Sequence, residues 1–121
     1  MSSAETSDPS SLSPEIEDLF DDANGDLAMG DLEAAAAKFR RCTELAPDYA
    51  DAWHALGMSL FKHGDLKPAI GAALMATHLR PNDLLAWTAL SQMYVSNHQI
   101  AEAEDAKGKA RILSLGGKIV K

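Results

Sequence analysis

Residues 53–81 read WHALGMSLFKHGDLKPAIGAALMATHLRP, and this stretch decides the fold because much of it returns at a fixed distance along the chain. The same residue types stand 34 positions apart in the pairs Trp53 and Trp87, Leu56 and Leu90, Ala69 and Ala103, Ala76 and Ala110, and Pro47 and Pro81. A period of this length is typical of stacked helical hairpins, which bind partners more often than they catalyse reactions.

Turn-forming residues divide the chain into six predicted helices. The helices span about 14–29, 32–46, 48–63, 66–80, 82–97 and 99–115. Ser13 is predicted to cap the first helix, Asp48 the third and Asn82 the fifth. Connections of two or three residues within each pair require the paired helices to run antiparallel. The predicted fold class is therefore all-α.

The stretch around Trp53 resembles a tetratricopeptide repeat. The matching positions are Trp53, Leu56, Gly57, Ala69, Ala76 and Pro81 in this copy, and Trp87, Leu90, Tyr94, Ala103 and Ala110 in the next. A degenerate copy upstream has Asp22 where the family has leucine and Cys42 where it has alanine. The resemblance implies a right-handed α-solenoid of three antiparallel helix-turn-helix repeats, over about 16–49, 50–83 and 84–115.

Composition and the repeats together predict three segments. Residues 1–12 are rich in serine and acid and should form a flexible tail, because they hold too little apolar surface to offset the entropy of ordering. The repeat domain follows over 13–115, and a short basic and apolar tail occupies 116–121.

The resemblance also implies a partner-binding groove, because in this family the first helix of each hairpin lines the concave face. The predicted groove residues are Phe20, Asn24, Leu27, His54, Met58, Phe61, Thr88, Gln92 and Val95. Methionine adapts its shape and phenylalanine supplies contact area, so the groove suits an amphipathic helix or an apolar segment of a partner protein. Phe61 and Val95 are equally compatible with simple packing between helices.

One subfamily of these repeats grips the terminal carboxylate of heat-shock chaperones with Lys, Asn and Arg on the concave face. This sequence keeps Asn24 of that pattern, whereas uncharged residues such as Met58 and Thr88 stand at the other expected positions. A carboxylate would find no cation there to pair with. The sequence therefore argues against a carboxylate clamp.

Charge is distributed unevenly along the chain. The net charge of −7 argues against nucleic acid as a partner, because phosphate binding requires a basic face. Residues 1–33 carry ten of the 18 acidic residues and no Lys or Arg, whereas 107–121 carry five basic residues and no acid. This polarity serves either the solvation of exposed ends or head-to-tail contact with a charged partner, a second copy included.

The end of the chain leaves two alternatives open. Its large apolar residues are Ile112, Leu113, Leu115, Ile119 and Val120, and no further helix follows to cover them. They either fold back on the third hairpin or dock on another subunit. Direct binding to a membrane is disfavoured, because Gly116-Gly117 interrupts any amphipathic helix.

No catalytic, cofactor-binding or metal-binding constellation emerges from the spacing. The four histidines show no zinc-site pairing, and the segment around Asn24 lacks two ligands of a calcium loop. Cys42 occupies a small-residue position and is predicted to be an inert core thiol. With no secretory signal and a single cysteine, the expected location is the cytoplasm.

Two functional hypotheses follow. The first is a non-enzymatic adaptor or scaffold that holds a segment of a partner protein in the concave groove. The second is a structural subunit of a homo-oligomer or a larger complex, associating through its charged ends and its uncovered last hairpin. Neither requires a cofactor.

Overall fold

The computed structural model describes residues 12–119, and this part of the chain forms six helices and no strand. The helices are α1 Pro14–Ala28, α2 Leu32–Leu45, α3 Ala50–His63, α4 Leu66–Leu79, α5 Leu84–Ser96 and α6 Ile100–Ser114. The prediction of an all-α stack of helical hairpins is confirmed. Most of the segment predicted as a flexible tail, residues 1–11, lies outside the described residues, as do residues 120–121 of the C-terminal tail.

Two of the three predicted helix caps are wrong. Ser13 caps α1 as predicted, with its side-chain oxygen accepting from the Ile16 amide at 3.3 Å. Tyr49, and not Asp48, precedes α3, and Asp83, and not Asn82, caps α5. In both places the chain completes a turn after the proline before the helix begins, with amide-to-carbonyl bonds from Tyr49 to Ala46 and from Asp83 to Arg80.

The three hairpins turn through a residue with left-handed backbone geometry. Gly30 and Gly64 occupy this position in the first two hairpins, with φ of 83° and 94°. In the third hairpin the residue is His98, with φ of 60°. A side chain at positive φ costs free energy that glycine does not incur, so the third turn is the strained one.

Replacing His98 with glycine is therefore expected to raise the free energy of unfolding by roughly 0.5–1 kcal/mol, since relief of the left-handed strain exceeds the added flexibility of the unfolded chain. Urea denaturation followed by circular dichroism measures the change. His98→Val is the opposing control, because a β-branched residue tolerates positive φ poorly and should lower stability. A loss of stability in the glycine variant would show that the imidazole contributes contacts that outweigh the strain.

Packing places the first helices on the inner side of the stack. Each hairpin packs internally, and α2 packs on α3 and α4 on α5. The first helices α3 and α5 also touch one another directly, whereas consecutive second helices make no comparable contact. The pair α3 and α5 is therefore the more closely spaced one, as expected for the concave side of a curved solenoid; the side of the stack formed by the first helices is here called the inner layer.

Small residues allow the two helices of a hairpin to cross closely. A Cβ atom on Gly57 would lie 3.3 Å from the carbonyl oxygen of Ala69 and 3.4 Å from the amide nitrogen of Ala73. At the equivalent crossing of the third hairpin, the hydroxyl of Ser91 donates to the carbonyl of Ala103 at 3.0 Å. Gly57, Ala69 and Ala103, three of the positions predicted to be structural, thus lie at helix crossings.

Both tryptophans fasten a first helix to the loop that precedes it. The indole Nε1 of Trp53 donates to the carbonyl of Pro47, and that of Trp87 to the carbonyl of Pro81, each at 2.8 Å. Both rings are half-buried and pack against the larger core cluster. The recurring Trp and Pro therefore act as one unit, and this explains why they share the period.

Candidate partner-binding surface

A hollow at the third repeat brings several of the predicted groove residues together. This hollow, here called the third-repeat groove, is an open cavity of about 560 Å³ between α5 and α6. It is lined by Phe61, Thr88, Ser91, Gln92, Val95, Ser96, Ala103, Glu104, Lys107 and Ala110. Four of the nine predicted groove residues therefore meet in a single concave surface.

The groove has an apolar floor and a charged edge. Phe61 packs against the core at one end, whereas Val95 is 52% exposed and faces solvent. Ala103 and Ala110 are buried beneath it, and Glu104 and Lys107 stand exposed on the same side of α6. Such a surface offers apolar contact together with one charge of each sign for orientation.

Sequence reasoning missed the contribution of α6. It placed first helices alone on the binding face, as in the middle of a solenoid, where the next repeat covers each second helix. No described helix follows α6, so Glu104 and Lys107 remain exposed beside the buried Ala103. The signal that could have revealed them is the absence of a fourth recurrence of the period.

The predicted groove residues of the first repeat are placed differently. The ring of Phe20 lies 5.4 Å from that of Phe39 and 5.0 Å from that of Tyr49, measured between centroids. Phe20 therefore takes part in the packing between the first two hairpins. Leu27 packs against the larger core, and Asn24 is exposed.

His54 and Met58 occupy the middle of the inner layer. Met58 packs against the larger core, whereas His54 lines a separate small cavity of about 200 Å³. The wall of that cavity includes an ion pair in which Arg80 Nη1 lies 2.8 Å from Asp51 Oδ1. The guanidinium is thus already bound to a carboxylate of the chain itself.

The titratable groups with displaced pKa values belong to the helix packing. Burial raises the pKa of the Cys42 thiol, which is fully buried, and raises the pKa of Tyr49 to about 12. Burial also raises the pKa of Tyr94, and a hydrogen bond to Asp26 raises the pKa of Lys38. The prediction that Cys42 is a core residue is confirmed. None of these four groups lines the third-repeat groove.

The C-terminal segment folds back on the third hairpin as far as it is described. After α6, the amide of Gly117 donates to the carbonyl of Ile112, and the amide of Ile119 donates to Asn82 Oδ1 at 2.7 Å. Asn82, predicted to cap α5, instead holds this segment. Leu115 remains 77% exposed, and no residue beyond α6 lines the third-repeat groove.

Two kinds of structural feature are absent from the described residues. None of the helices within residues 12–119 is both long and apolar enough to cross a bilayer. Over the same range, no three His, Cys, Asp or Glu side chains gather in a group that could hold a metal ion.

Stacked antiparallel hairpins with a 34-residue period and a concave inner layer define a helical-repeat solenoid. The sequence model of the tetratricopeptide repeat matches residues 26–93, which is more than half of the chain. The chain belongs to the tetratricopeptide-repeat family. No curated protein sequence matches it significantly.

Solved structures share this fold at low sequence identity. A chain of the CopN–Scc3 complex superposes with a TM-score of 0.81 at 21% identity, over 86% of this chain and 61% of that one. MamA superposes with a TM-score of 0.78 at 22% identity, over 82% of this chain and 58% of that one. The first TPR domain of Spaghetti (RPAP3), bound to the HSP90 peptide SRMEEVD, superposes with a TM-score of 0.81 at 13% identity. The superposition covers 88% of this chain and 84% of that one. The present chain spans about three fifths of the first two structures, and at these identities the likeness establishes the fold.

Proposed function

We propose that this chain is a non-catalytic interaction module that holds a segment of a partner protein in the third-repeat groove. The observation that supports this most directly is the convergence of Phe61, Thr88, Gln92 and Val95 with α6 on one accessible hollow. Helical-repeat proteins use such concave surfaces to bind polypeptides, and similar folds carry bound peptide or protein, as in Spaghetti (RPAP3) and the CopN–Scc3 complex.

The composition of the groove suits a short amphipathic helix. An apolar side chain of the partner would lie over Val95 and Ala103, while Gln92 and Thr88 hydrogen-bond polar atoms beside it. Glu104 and Lys107 stand one helical turn apart on α6 and would select a segment with charges in the opposite order. A cavity of about 560 Å³ accommodates several side chains, as a helix-in-groove contact requires.

A terminal carboxylate is not the proposed ligand, and the HSP90 peptide SRMEEVD bound to Spaghetti (RPAP3) is not taken as a guide to the ligand of this chain. The described inner surface presents Lys107 at the third-repeat groove, and Arg80 near His54 is paired with Asp51. A single lysine at the edge of the groove does not provide the cluster of cations that binds a carboxylate in a fixed orientation.

The experiment is site-specific crosslinking in the native host. A photoreactive residue at Gln92 is expected to capture the partner, whereas the same residue at Ala37, an exposed position of α2, is not. The double variant Thr88→Arg, Val95→Glu should reduce capture roughly tenfold or more, because charge replaces the apolar contact surface. Ala37→Arg with Ala101→Glu makes the same charge changes at exposed positions outside the groove and should leave capture intact.

Equal crosslinking from Gln92 and Ala37, or capture that survives the groove variant, would contradict the proposed site. Circular dichroism of each variant serves to check that the helices are retained. Val95 is 52% exposed and Thr88 half-buried, so neither replacement disturbs the core.

The structural-subunit hypothesis also has a specific observation in its favour. Four charged side chains at the two ends of the stack form no ion pairs within residues 12–119. They are Asp18 and Asp22 on α1 and Lys107 and Arg111 on α6. These charges are available for contact between molecules.

A further inference from the structure

The face of α6 that points toward the end of the stack differs in character from the equivalent face of α4, which packs against α5. In α4 this face consists of Ile70, Ala73 and Thr77, which are 8%, 3% and 4% exposed. The residues one period later are Glu104, Lys107 and Arg111, all exposed. Helix α5 packs against this face of α4, whereas no described element packs against the equivalent side of α6. The last hairpin therefore presents, open and charged, the surface on which a further first helix would sit.

The contact between α4 and α5 indicates how a further first helix would be aligned on α6. The methyl carbon of Met93 lies 3.5 Å from the Cβ position of Gly57, beside Ala69 and Ala73, so Met93 inserts between α3 and the first half of α4. Because consecutive helices run antiparallel, each turn earlier in α5 meets a turn later in α4. Extending this spacing turn by turn from Met93 assigns the following facing positions, by register: Met93 with Ile70, Leu90 with Ala73, Ala86 with Thr77 and Asn97 with Leu66.

The first helix of the chain carries the equivalent positions. Two periods before Ala86, Leu90, Met93 and Asn97 stand Asp18, Asp22, Gly25 and Met29. Ala86, Leu90 and Met93 in α5 are at most 2% exposed, whereas Asp18, Asp22 and Gly25 in α1 and Met29 directly after it are all exposed, Met29 at 85%. The outward face of α1 is thus the only one of the three first-helix faces, within residues 12–119, that lacks a preceding hairpin.

We propose that α1 of one molecule docks on the α5–α6 end of a second copy, so that the solenoid continues from chain to chain. Transferring the α4–α5 register to this contact gives the pairs Asp18 with Arg111, Asp22 with Lys107, Gly25 with Glu104 and Met29 with Ile100. Two pairs unite opposite charges, and one joins two exposed apolar side chains. The fourth pair places Gly25, which has no side chain, opposite the acidic Glu104.

The structure leaves room for this contact. A Cβ atom on Gly25 would meet nothing within 4 Å, so the α1 face is open at its centre. Ile100 is 56% exposed and Met29 is 85% exposed. Contact between these two apolar side chains would remove apolar surface from water, which lowers the free energy of the associated state. The described C-terminal segment runs to Asn82 and not across the α6 face, so it does not block the approach.

The assembly implied is open-ended, because the two surfaces that meet are different and lie at opposite ends of the chain. A heterologous contact of this kind produces growing rows or filaments, and exposed ion pairs make it sensitive to salt. Glu104 and Lys107 belong both to this contact and to the third-repeat groove. Self-association and partner binding should therefore compete, although the self-association does not depend on the proposed partner function.

Reciprocal charge exchange tests the pairing. Sedimentation velocity of the wild-type chain at low salt should show species that grow beyond a dimer with concentration and shrink as salt is added. Asp18→Lys with Asp22→Lys, and separately Lys107→Glu with Arg111→Glu, should each weaken association roughly tenfold or more, because like charges then face each other. An equimolar mixture of these two double variants should restore it, since each altered end then finds a complementary partner.

A matched control is Arg40→Glu with Lys67→Glu, which removes two exposed basic residues outside the contact and should associate like the wild type. A wild-type chain that stays monomeric at millimolar concentration and low salt would overturn the proposal. So would association that stops at a dimer, or two defective variants that fail to complement each other. None of these results bears on crosslinking at Gln92, which tests the partner function separately.

Discussion

Phe39→Ala is expected to lower the free energy of unfolding by about 3–5 kcal/mol, a large part of the 5–15 kcal/mol typical of a small domain. Phe39 is fully buried in the larger core cluster. Its ring meets that of Phe20 edge-on, with centroids 5.4 Å apart, and Phe20 in turn meets Tyr49 at the start of α3. The substitution therefore removes the ring that supports Phe20 in its contact with Tyr49 at the start of the second hairpin.

Urea or thermal denaturation measures this loss. Phe39→Leu serves as the control, because it keeps most of the buried volume and should cost only about 1–2 kcal/mol. Leu74→Ala provides a surface comparison, since Leu74 is 44% exposed on α4. If Phe39→Ala cost no more than Leu74→Ala, the first hairpin would not depend on this aromatic contact.

Trp53→Ala is expected to cost about 3–5 kcal/mol as well, although the ring is half-buried, because it removes two kinds of interaction. The indole packs against the larger core, and its Nε1 donates to the carbonyl of Pro47 at 2.8 Å. Loss of the ring leaves a gap between the first and second repeats, together with an unpaired carbonyl. In a solenoid, in which each unit contacts only its neighbours, damage at this central junction is not compensated elsewhere.

Trp53→Phe separates the two interactions, because it keeps a ring in place but abolishes the hydrogen bond. The expected cost of this change is about 1–2 kcal/mol, part of it from the smaller ring. Hydrogen exchange adds a local measurement: Trp53→Ala should increase exchange in α2 and α3 more than in α6. Uniform protection in the alanine variant would show that the tryptophan does not join the repeats.

Much of the fold was predictable because the repeat is written twice with little change. Trp53 and Trp87, with Pro47 and Pro81, mark each junction by residue types whose size or ring constrains the local backbone. The predicted starts of α3 and α5 lie two residues too early, since Asp48 and Asn82 are both good capping residues. The turns that close after each proline depend on backbone hydrogen bonds, which side-chain preferences do not reveal.

The binding surface was only partly predictable. Thr88, Gln92 and Val95 follow from helical register, and the structure gathers them with Phe61 in one groove. Phe20 shares that register, yet its ring packs against Phe39, because the first hairpin has Asp22 where the others have leucine and draws on another apolar side chain. Register identifies the side of a helix but not whether a neighbouring ring occupies it.

By itself the sequence determined the helical-hairpin architecture, the repeat length and the placement of opposite charges at the two ends, because these depend on periodicity and composition. Only the tertiary structure decided that α6 contributes Glu104 and Lys107 to the groove, and that Asn82 binds the amide of Ile119 and leaves the cap of α5 to Asp83. The physical reason is that accessibility and long-range hydrogen bonds depend on which elements lie nearby in space. A local pattern fixes the face of a helix, whereas its neighbours determine what that face can bind.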